Sequence, residues 1–130
     1  MAPVAGPRDQ MSAIQSRWAT TTGHLAGLAL LFVAAGMGLG TLVELLDGTD
    51  GGAMAGATAI TAGIGLLLWR STRPGRLDHA TVFTAVGGTW LIVSVMGALP
   101  YLLAGTFDRP GIGLPVVIAD ALFESVSGYS

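Results

Sequence analysis

Polar and apolar positions divide the chain into three long charge-free runs and one short apolar stretch. No charged residue lies between Arg17 and Glu44, between Asp50 and Arg70, or between Asp78 and Asp108. A helix needs about 20 apolar residues to cross a hydrocarbon core of roughly 30 Å, so residues 23–46, 51–69 and 80–103 are expected to be membrane-spanning helices. The stretch 115–130 is too short to cross. Asp120 is expected to cap its helix, because a short carboxylate accepts bonds from first-turn amides and suits the positive end of the helix dipole. Leu122, Phe123 and Val126 make an apolar stripe, and Ser127, Gly128, Tyr129 and Ser130 then bring polar oxygens and a glycine where helix propensity fades.

The segments between these runs order the sides of the membrane. Residues 1–22 are polar and mixed and are expected to be a disordered tail that turns into a short helix near residues 10–18. A cleaved signal peptide is the competing reading, but the run that follows is too long for an h-region and closes on Glu44 and Asp47. Asp47, Gly48, Thr49, Asp50, Gly51 and Gly52 make a tight turn from residues that tolerate left-handed dihedrals, which joins the first two spans into a hairpin over 23–70. Arg70, Arg73 and Arg76 flank or occupy the loop 71–78. The positive-inside rule places that loop in the cytoplasm, with the tail and its Arg8 and Arg17 on the same side. Trp18 and Trp69 then fall at the inner interface and Tyr101 at the outer one. Residues 105–114 form an external loop, and 115–130 must enter the membrane from outside and return. Non-helical backbone survives at that depth only when buried in protein or facing a water-filled cavity.

Composition agrees with this placement: 52% of residues are hydrophobic and 11% charged, with 20 glycines and a mean hydropathy of +0.67. A soluble domain carries roughly 25% charged residues. The absence of cysteine excludes a disulfide framework and thiolate metal ligation. The net charge of −2 identifies no partner beyond the lipid bilayer, and nucleic acid is not expected as one.

Candidate chemistry within the spans is sparse. Gly36 and Gly40 have the GxxxG spacing that lets helices approach closely, and Phe83, Val86, Trp90, Val93 and Gly97 recur at helical spacing as a packing face. Thr58 and Thr61 are expected to bond back to their own helix. Gly97 and Pro100 should bend or end the third span, since proline has no amide and crowds the carbonyl of Met96. His24 and Glu44 read as interfacial groups. His79 has no nucleophile beside it, and no phosphate loop or metal cluster is present, so the chain is not expected to be an enzyme or to hold a cofactor.

The run at 97–105, GALPYLLAG, followed at 119–130 by ADALFESVSGYS, resembles the first pore repeat of the Trk/Ktr/HKT superfamily of potassium transporters. The preceding hairpin makes it most similar to the bacterial Trk-type (TrkH-like) membrane subunit. The resemblance implies an all-α membrane protein: a helical hairpin, then the first helix of repeat one over 79–104, and a re-entrant pore helix with the start of a selectivity filter over 115–130. It further implies an amino-terminal fragment of a four-repeat, cation-channel-like fold, inactive alone, in a multi-pass subunit of the bacterial inner membrane with a cytoplasmic amino terminus. Ser127, Gly128, Tyr129 and Ser130 would begin the filter. Asp120 and Glu124, at i and i+4, would be either an acidic funnel for cations or a cap and a backbone-bonded support. The transported ion would be K+, with Na+ the alternative. The implied partners are the remaining pore repeats, a second copy of the subunit and a cytoplasmic nucleotide-binding regulatory subunit. The competing reading is a small membrane scaffold whose glycine faces bind partner helices.

Overall fold

The computed structural model describes residues 3–75 and 78–129, without the side chains of Arg17 and Trp18. Its elements are α1 (Pro7–Leu46), α2 (Gly52–Ser71), α3 (His79–Leu103) and α4 (Leu114–Tyr129), with no strand among the described residues. The protein is all-helical, and α1, α2 and α3 are each long and apolar enough to cross a membrane.

α1 absorbs most of the expected tail. Its 40 residues form one helix, about 60 Å long at 1.5 Å per residue and so twice the thickness of a hydrocarbon core. Pro7 has no amide to lose at a first helical position, and the Gly6 amide donates to Asp9 Oδ2 at 3.2 Å. No glycine or proline interrupts the chain from Arg8 to Thr22. The short helix expected near residues 10–18 is therefore present, but it starts at Pro7 and runs without a break into the first span. Its described side chains up to Thr20 are exposed, and burial begins at Thr21.

α1 and α2 cross at glycine. A Cβ on Gly27 would lie 2.6 Å from the Trp69 nitrogen and 2.8 Å from the Gly65 oxygen, and one on Gly65 would lie 3.0 Å from Leu30 Cβ. Only residues without side chains permit that approach. The expected Gly36/Gly40 contact is not the crossing: nothing lies within 4 Å of a Cβ on Gly36. The face of α2 toward its neighbours is Ala57, Thr61 and Gly65, one turn apart. Thr58 Oγ1 bonds back to the Met54 carbonyl at 2.8 Å as expected, whereas Thr61 Oγ1 is buried without a partner.

The same preference corrects the packing face of α3. Phe83, Val86 and Trp90 are exposed by 82, 53 and 45%, and the buried positions are Thr81, Ala85, Ser94, Gly97 and Ala98. In lipid, bulky apolar side chains have no reason to turn inward, and small ones let backbones pack. Pro100 does not end the helix, which continues to Leu103 and whose cap amide at Ala104 bonds the Pro100 carbonyl at 2.9 Å.

The loop 72–78 is tied to α1 as well as to its own flanks. His24 Nδ1 lies 3.1 Å from the Thr72 carbonyl oxygen, and the Gly75 amide donates to the buried Thr21 hydroxyl at 3.0 Å. The His24 ring also stands 6.4 Å from that of Trp69. Arg70 closes α2 and Arg73 follows it, both exposed. Arg76 lies outside the described residues, as does the Trp18 side chain. At the start of α3 the Asp78 side chain accepts from the Thr81 amide at 3.1 Å. The Thr81 side chain and this amide together hold its carboxyl below the usual value of an aspartate.

Candidate functional site

α4 decides what this chain can do, because it is the one helix too short to cross. Its 16 residues measure about 24 Å. The helix starts earlier than Asp120: Leu114 and Pro115 open it, and the Gly113 carbonyl accepts from the amides of Val116 and Val117 at 3.0 and 3.4 Å. Proline at a first-turn position is preset for helix and gives up no bond. Asp120 therefore lies inside the helix, part-buried, and is not its cap. Glu124, one turn on, is exposed, and its carbonyl accepts from Ser127 Oγ at 3.0 Å.

The inward face of α4 is Val117, Ala121 and Ser125, again one turn apart. Among the described residues α4 packs against α3 and no other helix. Ser125 Oγ donates to the Ser94 carbonyl at 2.7 Å in a buried setting. Gly97 makes room for this contact: a Cβ there would lie 2.5 Å from Ser125 Oγ and 2.7 Å from Tyr129 Cε2. Tyr129 also borders a cavity of about 270 Å³ with Thr89, Trp90 and Val93. Ser94 lies nine residues before the end of α3 at Leu103, about 14 Å along the axis. The chain thus turns over in residues 104–113 and runs back beside α3 to near its middle.

This arrangement brings together Gly97, Ser125 and Tyr129, and leaves Arg70 and Arg73 at the other end of the bundle. Ser127, Gly128 and Tyr129 complete the last turn of α4 instead of leaving the helix. Ser127 bonding back to Glu124 and the Tyr129 ring seated on Gly97 hold that turn. Ser130 lies outside the described residues. Ser125 and Ser94 are not singled out by the sequence, although Ala121 and Ser125 share the small-residue spacing of the buried faces of α2 and α3. The same holds for Gly23 and Gly27, whose GxxxG spacing marks the α1–α2 crossing.

A second feature lies at the end of the bundle where the turn 47–51 joins α1 to α2. A groove of about 730 Å³ runs between α1 and α3, floored by Gly36, Met37, Gly40 and Gly97, rimmed by Glu44 and Tyr101, and bordered also by Met54 of α2 and Tyr129 of α4. Phe107 lies against the Tyr101 ring, centroids 5.9 Å apart. No group of three or more His, Cys, Asp or Glu side chains among the described residues is placed to hold a metal ion. No protein-family model, curated protein or solved structure matches the chain.

Proposed function

We propose that the chain is the amino-terminal part of a monovalent cation uptake transporter of the Trk/Ktr/HKT kind, with α1 and α2 as the additional hairpin and α3 and α4 as the first helix and re-entrant pore helix of repeat one. One observation carries this reading: α4 turns back along α3 and ends beside its middle, with Ser125 bonded to the Ser94 carbonyl. A helix ending at mid-depth presents the negative end of its dipole there, which lowers the cost of a dehydrated cation. The residues after that end, beginning with Ser130, would supply the filter carbonyls. Selection of K+ over Na+ would belong to those carbonyls. The arginine-rich loop and amino terminus are cytoplasmic in this reading, and the turn 47–51 and residues 104–113 external. A second copy and a cytoplasmic nucleotide-binding regulator are the partners it implies. It assigns the protein transport and no catalysis.

The test is growth of a potassium-uptake-deficient bacterium at limiting K+, carrying the full genomic reading frame that contains this chain. Rescue is expected, and a well-inserted product that fails to rescue would refute the proposal. A scaffold without transport is the second reading, favoured by the helical state of Ser127, Gly128 and Tyr129. It requires these residues to sit at headgroup level. Single-cysteine accessibility at Ser127, compared with Thr106, separates the two, because the transporter reading places Ser127 about half a bilayer deeper.

A further inference from the structure

The groove between α1 and α3 shares Gly97 and Tyr129 with the α4 site, but its open floor and its acidic rim at Glu44 are not used by the transport reading. We propose that it binds a phospholipid with an ethanolamine headgroup, the acyl chain on the glycine face of α1 and the ammonium against Glu44 and the Tyr101 ring.

Size suits a small amphiphile: the groove measures about 730 Å³. The same volume lies within the roughly 300–1,000 Å³ of small-molecule sites. The floor is open because Gly36 has nothing within 4 Å of a Cβ, and Gly40 meets only the end of the Met54 side chain at 3.8 Å.

Charge selects the headgroup. Glu44 is the one charged residue lining the groove, among those described, and it lies in the last turn of α1. Neither α1 nor α3 has a basic residue in its last turn. The carboxyl ends of α1 and α3 and the Glu44 carboxylate each favour a positive ligand group, and no basic side chain is among the groove's described lining residues. Tyr101, steadied by Phe107, offers a ring face of the kind that attracts an ammonium. Apolar walls below and a single anion at the rim fit a lipid with a primary ammonium and disfavour one with net negative charge.

The full chain would be reconstituted with phosphatidylethanolamine and phosphatidylglycerol of identical acyl chains, in equal amounts, and bound lipid counted by native mass spectrometry. Preference for ethanolamine of about five-fold is expected. Glu44→Gln should bring the ratio near one, and Gly40→Leu should lower retention of both lipids. On the unmodified protein, an ethanolamine lipid with a photoreactive acyl chain should label residues 32–40 and 97–104, or the lining side chains Met54, Thr106 and Tyr129, these together being the expected segments. Equal retention of the two lipids, a preference unchanged in Glu44→Gln, or labelling outside these segments would overturn the proposal. So would cross-linking of the groove to a second copy of the chain.

Discussion

Replacing Gly97 with alanine should loosen α4 and leave the rest of the bundle in place. The added methyl would sit 2.5 Å from Ser125 Oγ and 2.7 Å from Tyr129 Cε2, closer than any real contact. Both neighbours are side chains, so the clash is relieved by two side-chain rotations and leaves the backbone in place. Ser125 must turn away and give up its 2.7 Å bond to the Ser94 carbonyl, which in a membrane protein is worth about 0.6 and at most about 1.7 kcal/mol. Displacing the Tyr129 ring adds overpacking strain of about 1–3 kcal/mol, and alanine returns about 0.5–1 kcal/mol of helix propensity. The net cost lies between about 0.6 and 4 kcal/mol with a central value of about 2, roughly a thirty-fold change in the opening equilibrium of α4. Hydrogen exchange of α4 amides in detergent or nanodiscs reads that opening directly. Exchange in α1 and α2 should not change, because α4 touches neither. Adding Ser125→Ala should recover part of the loss, since the two sites share one contact and should not be additive. Unchanged α4 exchange in Gly97→Ala, or equal loosening of all four helices, would refute the packing argument.

Gly27→Ala should destabilise the α1–α2 hairpin by about 1–3 kcal/mol, because its methyl meets backbone atoms of Gly65 and Trp69 that cannot rotate away. Gly36→Ala, into open space, should stabilise α1 by about 0.5–1 kcal/mol; steric trapping or thermal unfolding of the two variants side by side checks the opposite signs. The Asp78 carboxyl is held below its ordinary value by the Thr81 side chain and amide. Its capping contribution is therefore complete above the unfolded value near 3.8 and lost as pH falls through the lower folded one. Exchange at the first turn of α3 should rise over that acid window in the native protein, and the rise should vanish in Asp78→Asn, which keeps the acceptor oxygen. His24→Ala should lose the link to the Thr72 carbonyl and cost about 0.5–1.5 kcal/mol, seen as faster proteolysis between Thr72 and Asp78.

The three spans were legible because length and the absence of charge decide whether a helix can lie in lipid, and neither depends on partners. Which face of each helix packs was not legible from hydrophobic periodicity. Phe83, Val86 and Trp90 have the spacing of a core stripe, yet a lipid environment leaves them outside and buries Thr81, Ala85 and Ser94. The signal was small-residue spacing, and with 20 glycines in the chain the pairs Gly36/Gly40 and Gly23/Gly27 are equivalent until the partner helix is known. The start of α4 differs from the expected one because Asp120 has capping chemistry, while Pro115, five residues earlier in the chain, has none of its own. Its contribution is a preset dihedral and an amide that is not missed.

α4 owes its position to polar and small groups, and that bears on what it can be. A helix with Leu114, Val116, Phe123 and Val126 exposed gains nothing from burial against α3 that lipid would not give it, so hydrophobicity alone cannot hold it there. What remains is directional: the Ser125 bond to Ser94, the close approach at Gly97, and the turn formed by residues 104–113, where Gly105 and Gly111 adopt φ of +61° and +86°. Each of these fixes depth and direction more than it adds stability. Among the described residues α4 packs against α3 alone, so its attachment rests on that one interface. If the Ser125 and Gly97 contacts serve only attachment, an apolar interface made by Ser125→Val with Gly97 retained would hold α4 as well as the native pair. If they set depth, that variant should bind α3 but shift the accessibility of Ser127, and the direction of the shift reports which way the helix slides.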